Sequence, residues 1–470
     1  MQTPEIAIIG HPNEGKSSVL STLAEDDSVR ISPTPGETRE CRTFPVIIDG
    51  QAVLQFTDTP GFQNPGRILA ELKKLNGNSD SLLEQLKRFT ASSPDLKDDH
   101  ELLLPVTRGA GVIYVVDGAR PLRNVDRAEM EILRLIGRPR MAVINCKNDD
   151  FQFLDSWKDE LRKHFNSSRV FNAHRATYAE RIELLEALKA IDQDWYKLLA
   201  DIVSAFRQDW EARTRISADS ICSLLSDCLG FQLRKDLPAE HGVARLEQQL
   251  LQQYTAAVIK KEQRAHQQIR ALFKHNIFDY QLPPHSILRE DLFNQKTWQL
   301  LGLTKKQLLL LGGIGGAAVG AGVDVAALGH GLGLFTALGG TVGFLGALLG
   351  RDNLTTEASF LGLKIAGQQI QIGPINNISL MFVLINRAFL YFQHTINWAH
   401  GRRDYPDHDT KDQRTDLQGF TSNWSAQNLK TCNSFFKAVH KKSIDREPEI
   451  VSAMQQLLFS EFMKISQDER

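Results

Sequence analysis

Gly10-His-Pro-Asn-Glu-Gly15-Lys16-Ser17 follows the short apolar run Glu5 to Ile9 and precedes Ser18, Val19, Leu20 and Leu23 at helical spacing. Strand, glycine loop and helix in that order form a cradle for phosphate. Glycine lets successive backbone N–H groups curl around an anion, and the helix N-terminus adds its partial positive charge. Asn13, Glu14, Gly15, Lys16, Ser17 and Ser18 are therefore the candidate phosphate-binding residues. Lys16 is placed to reach the outer phosphates, and the Ser17 hydroxyl is a magnesium ligand candidate.

Downstream, Ala52 to Phe56 alternates as a strand and ends in Thr57-Asp58-Thr59-Pro60-Gly61. Asp58 is the second magnesium candidate, and the Gly61 amide is the expected contact to a γ-phosphate, released on hydrolysis. Between the two motifs, Pro35-Gly-Glu-Thr38-Arg39-Glu is polar and turn-prone, as a mobile switch would be. Thr38 is the candidate hydroxyl for closing onto magnesium, with Thr34 as its competitor.

Two further apolar strands, Gly111 to Val116 and Met141 to Ile144, alternate with helical patterns, which predicts a parallel sheet covered on both faces. The second runs into Asn145-Cys146-Lys147-Asn148-Asp149. In that setting a carboxylate accepts from guanine's ring N–H and amino group while a lysine stem covers the base; Lys147 and Asp149 have the spacing. Cys146 stands where Asn or Thr is ordinary before the lysine, and Asn145 serves only if the loop carries an extra residue. Asn172-Ala173-His174, before a helical run, sits where a Ser-Ala-Lys loop usually backs the base, which makes Ala173 a candidate contact.

The formal net charge of -1 argues against a general nucleic-acid binder. Five scattered cysteines, with no metal-ligand spacing, point to a reducing compartment. No signal-peptide pattern is visible at the N-terminus, so the expectation is a domain facing the cytoplasm.

Residues 5 to about 192 resemble the Era-like, translation-factor-class P-loop GTPases: PNEGKSS is similar to that group's PNxGKSS and PGETRE to its PGxTRD. The resemblance implies GTP and GDP as ligands, Mg2+ as cofactor and slow GTP hydrolysis, with Lys16, Thr38 and Gly61 in the catalytic machinery. Phe62 follows DTPG where Ras-type enzymes keep a glutamine. Members with an apolar residue there position water by other means, some with K+ held by the loop asparagine, here Asn13. About fifty residues separate Gly61 from the next strand, more than the fold needs, and two helices are expected there, near Arg67 to Leu75 and Ser81 to Phe89. The whole chain also resembles a bacterial family of GTPases fused to a C-terminal domain of unknown function.

Beyond residue 195 the pattern is mainly α-helical. The expected organisation is a GTPase domain over 1–195, a helical domain over 196–304, a Gly-rich apolar hairpin over 305–352 and a mainly helical region over 353–470. Leu251, Tyr254, Val258, Ala265, Ile269 and Leu272 form one apolar seam, for an intramolecular bundle or a homodimer coiled coil. Residues 307–350 hold only two ionisable side chains, Asp324 and His330, and glycines recur four apart. That composition suits two spans that touch closely, as a membrane hairpin or a soluble one buried between helices. Leu363 to Pro374 reads as a short strand pair, and Ile378 to Trp398 as a core helix, because Arg387 at mid-span would cost about 2.5 to 3.5 kcal/mol in lipid.

These features lead to a GTP-hydrolysing switch at the inner face of the cytoplasmic membrane, with the bilayer or a membrane protein as partner. A dynamin-like membrane-remodelling GTPase and a soluble ribosome or RNA assembly GTPase are the alternatives.

Overall fold

A computed structural model of the chain describes residues 3–24, 40–48, 51–146, 151–172, 178–236, 243–273, 287–289, 292–293, 297, 300–302, 307, 364–366, 369–396 and 419–467. The chain divides into two compact units, one built on Met1–Trp210 and the other beginning at Glu211. The hairpin expected over 305–352 lies outside the described residues, Gln307 excepted.

The first unit runs β1 (Glu5–Ile9), α1 (Lys16–Ala24), β2 (Arg42–Ile48), β3 (Gln51–Asp58), α2 (Pro65–Leu72), α3 (Ser79–Ala91), α4 (Lys97–Thr107), β4 (Gly111–Asp117), α5 (Asn124–Ile136), β5 (Arg140–Asn145), α6 (Leu154–His164), β6 (Ser168–Phe171) and α7 (Tyr178–Leu188), then enters α8 (Gln193–Leu229). Its six strands lie in the order β2-β3-β1-β4-β5-β6. Only β2 is antiparallel to its neighbour. Alternation along each strand divides the core in two. Ile6, Ile8, Ile113, Val115, Met141 and Val143 face α1, α7 and the start of α8, whereas Ala7, Ile9, Val112, Tyr114, Val116 and Ile144 face α2 to α6. The first core continues into α8 through Leu199, Ile202 and Val203. Gly111 makes room for it: a Cβ there would lie 2.6 Å from the Trp195 ring.

The interval after Gly61 holds three α-helices, α2, α3 and α4, where the sequence pattern picks out the first two. Helix α4 escapes the pattern because its first turn, Lys97-Asp-Asp-His100, is polar and Pro105 sits inside it.

In the second unit, β7 (Leu233–Asp236), β8 (Lys364–Ala366) and β9 (Gln369–Ile372) form an antiparallel sheet in the order β7-β9-β8. Strands β8 and β9 are the expected pair. The partner β7 is a difference: Leu-Arg-Lys-Asp has no strand signature, and only pairing with β9 makes it one. Among the described residues, the end of α8 and helices α9 (Val243–Leu272), α10 (Ser379–Ile396), α11 (Ala426–His440) and α12 (Pro448–Gln467) make up most of the remainder. Tyr254, Val258 and Ile269 of the α9 seam are fully buried, and Tyr254 packs on Phe231 within the same unit.

Helix α10 is buried nearly all round, and both of its interrupting polar residues have partners. Arg387 Nε donates to Glu262 Oε1 at 2.5 Å and its Nη2 to Oε2 at 3.1 Å. Asn386 Nδ2 donates to Leu301 O (2.7 Å) and Thr421 Oγ1 (2.9 Å), while Asn386 Oδ1 accepts from Thr421 N. Satisfied buried polar groups of this kind belong to a protein core. Among the described residues no helix is long and apolar enough to cross a membrane.

Candidate functional site

The phosphate loop and the DTPG turn meet at the C-terminal ends of β1 and β3, adjacent parallel strands with Ile8 in register with Asp58. Ligands of open α/β sheets collect at such strand ends. Backbone conformation explains why these residues make the loop. Gly15 has φ +90° and Asn13 φ +69°, a region asparagine enters more readily than most residues. Gly10 is pressed against β4, where a Cβ would stand 2.3 Å from Val115 O. At Gly61 a Cβ would lie 2.6 Å from both N and Cδ of Pro12, so the glycine expected to sense γ-phosphate rests directly on the phosphate loop.

Lys16 Nζ donates to Gly10 O (3.3 Å) and His11 O (3.1 Å), which folds the ammonium over the loop. Ser17 Oγ donates to Asp58 Oδ2 at 2.9 Å. Two hard oxygen donors from separate motifs, side by side next to a phosphate cradle, suit Mg2+, which takes one or two protein ligands and completes its shell with phosphate and water. Ser17 and Asp58 would hold that ion, whose chemistry is to neutralise charge on the β- and γ-phosphate oxygens. Ser18 is buried behind the loop at the start of α1.

Glu14 contributes to a phosphate site through its backbone, because its side chain is engaged elsewhere. The buried carboxylate accepts from Asp117 N and from Arg120 Nε, the latter at 2.6 Å. Arg120 also makes a two-pronged contact to Asp126, at 2.7 and 2.8 Å, and its guanidinium lies over Trp157. Burial pushes the Glu14 carboxyl up while Arg120 opposes it. Burial acts the same way on Asp126, but hydrogen bonds from Arg120 and Arg123 outweigh it and hold that carboxyl below its usual value. A second anchor joins His11 Nδ1 to Glu129 Oε1 (2.9 Å), whose other oxygen accepts from Tyr114 (2.8 Å). The sequence reading missed Arg120, Asp126 and Glu129. The one local signal was Asp126 at the third position of α5, where it accepts from Arg123 N.

Thr38 and its competitor Thr34, with Lys147, Asp149 and Ala173, lie outside the described residues. The strand end before them is described. Asn145 is fully buried, and its Nδ2 donates to Glu14 O at 3.0 Å, so it ties β5 to the phosphate loop. Cys146 is also buried, and a Cβ on Gly118 would stand 2.8 Å from its Sγ. Cys146 thus occupies core space against the β4 end.

Sheet order, phosphate loop and DTPG turn together define a P-loop GTPase domain. Residues 5–146 match the family model described as 50S ribosome-binding GTPase. Residues 158–461 match the model described as a domain of unknown function, DUF3482, and the chain belongs to that family. This second match begins inside α6, so β6 and α7 of the nucleotide unit fall within it.

Among curated relatives, a probable GTP-binding protein EngB of Burkholderia cenocepacia is 26% identical over 201 residues, 39% of this chain and 81% of that protein. GTPase Der of Listeria innocua is 25% identical over 167 residues, 35% of this chain, and the match spans only 33% of that protein. Similar solved structures include an Era variant from Aquifex aeolicus bound to GDP and aluminium fluoride, at 18% identity and TM-score 0.25, covering 52% of this chain and 75% of that one. An NFeoB variant from S. thermophilus bound to GMPPNP has 16% identity and TM-score 0.26, covering 56% and 91%. At TM-scores this low, the class rests on the motifs, the sheet order and the sequence matches.

Proposed function

We propose that this GTPase is a nucleotide-driven switch working at the cytoplasmic face of a membrane, its GTP state read by the C-terminal region. The observation that carries the switch is the junction of Ser17 with Asp58 and of Gly61 with Pro12. A γ-phosphate contact at Gly61 would move the segment that also carries Asp58, the partner of Ser17. The membrane location is supported by the composition of 307–350, with two ionisable residues in forty-four positions and Lys305, Lys306 and Arg351 at its ends. Lys147 and Asp149 are proposed to read guanine, with Asn145 in the loop-anchoring place and Cys146 as the extra residue. Asn13 is proposed to hold K+ during turnover.

A second reading, a ribosome-assembly switch, is favoured by the description of the family that matches residues 5–146. One experiment separates them: the wild type and Lys16→Ala are fractionated with GTP or GDP. Lys16→Ala is expected to lose tight nucleotide binding, because the ammonium over the loop is gone. Wild-type protein pelleting with membranes and resisting alkaline carbonate supports the first reading. Nucleotide-dependent co-sedimentation with ribosomes at moderate salt, with none in membranes, replaces it with the second.

A further inference from the structure

Phe62, the residue that follows DTPG, is fully buried and packs in the core that faces α2 to α6. It therefore has no face to offer a water at a bound γ-phosphate. The next residue is differently placed. Gln63 is exposed, and its Nε2 donates to Gly61 O at 3.3 Å, folding the carboxamide back over the glycine that rests on Pro12.

The main chain of Gln63 is held from the inserted segment. Asp99, in the first turn of α4, has no exposed surface. Its Oδ1 accepts from Gln63 N at 2.9 Å, and its Oδ2 accepts from Asn64 N at 3.1 Å and Asn64 Nδ2 at 3.4 Å. Among the described residues no cation pairs with this carboxylate. Burial drives its pKa up and these hydrogen bonds pull against that. A buried carboxylate is costly unless its oxygens are occupied, and here the occupants are the two consecutive amides just before α2. Asn64, the cap residue of α2, makes no side-chain cap of its own, so the α2 entry depends on Asp99. Asn64 Nδ2 also donates to Asp95 O, and Arg67 pairs with Asp95, which fastens the same turn to the segment before α4.

We propose that Gln63 orients the attacking water in this GTPase and that Asp99 of the inserted helix α4 is the positioning residue that holds it there. The proposal rests on the GTPase assignment. In the reaction, the water oxygen bonds to the γ-phosphorus and the bond to the β–γ bridging oxygen breaks, GDP leaving with that electron pair. The water's protons pass to phosphate and solvent. Gln63 supplies an acceptor oxygen and a donor N–H and ends unchanged. Gains of this kind come from orientation, so they fall on the rate of the chemical step and spare nucleotide binding.

The test is single-turnover GTP hydrolysis by the full-length protein, with GDP affinity measured by fluorescent-analogue titration. Gln63→Ala is expected to slow the chemical step by about tenfold or more, with GDP affinity held within about threefold. Asp99→Ala should slow it comparably, and the double variant should be no slower than the slower single, because the two act in one chain. Asp99→Asn, which keeps one acceptor oxygen, should recover part of the rate. A wild-type rate in Gln63→Ala overturns the proposal, and so do multiplicative losses in the double variant. Gln63 is exposed, so the Gln63→Ala rate decides the matter even if melting curves show Asp99→Ala to be unfolded. A wild type that binds GTP without hydrolysing it would remove the GTPase reading itself; normal wild-type turnover with an unimpaired Gln63→Ala removes only this inference.

Discussion

Replacing Arg387 by Met tests the core of the C-terminal region. Arg387 and Glu262 are 5% and 3% exposed, and their two hydrogen bonds, at 2.5 and 3.1 Å, join α10 to α9. Arg387→Met fills much the same volume but strands the Glu262 carboxylate away from water. Breaking a buried pair in this way costs about 3–5 kcal/mol. For a unit of this size each kcal/mol is worth roughly 2–4 °C, so the melting temperature should fall by about 6–20 °C. Calorimetry of the full chain measures it, and Glu262→Met with Arg387→Met is the control. Removing both charges should restore stability to near or above wild type, since a well-packed apolar pair often equals or exceeds a buried ionic one. A single variant losing less than about 1 kcal/mol, or a double variant as unstable as the sum of the singles, would refute the reasoning.

Gly61→Ala should lower stability by about 1–3 kcal/mol through its clash with Pro12, and should depress GTP hydrolysis; normal turnover with an unchanged melt would contradict the packing described at that junction. Asp149→Asn is expected to exchange preference for GTP for xanthosine triphosphate, read by competitive binding, and retention of guanine preference would place the base-reading carboxylate elsewhere. The buried His266, stacked on Tyr391, has its pKa pushed down to about 4 by burial, against the pull of Glu262. The unfolded imidazole takes its proton near pH 6.5 and the folded one only near 4, so this stability is full above 6.5 and is lost as pH falls toward 4. Denaturant unfolding of the second unit should show a loss of about 2 kcal/mol between pH 7 and 5 that His266→Gln abolishes; an equal slope in the variant assigns the pH dependence to another group.

The sequence by itself determined the nucleotide unit. Gly10 to Ser17, Asp58 to Gly61 and the apolar strands before them are local patterns whose chemistry depends on spacing along a few residues. In the structure Ser17 Oγ donates to Asp58 and Gly61 rests on Pro12. Local pattern also sufficed for the α9 seam and the β8–β9 pair, because periodicity records which face is buried.

Only the tertiary structure decided what depends on residues far apart in the chain. Arg120 meets Glu14 across 106 positions, and Asp99 reaches Gln63 across 36; neither arginine nor aspartate carries a mark in sequence that names its partner. Leu233 to Asp236 becomes a strand because it pairs with β9, Arg234 lying opposite Gln371 across 137 positions, against its own propensity. Arg387 looks anomalous in an apolar helix until Glu262, 125 positions earlier, is folded against it. A buried charge is tolerable only with its partner in place, and long-range folding is what puts that partner there.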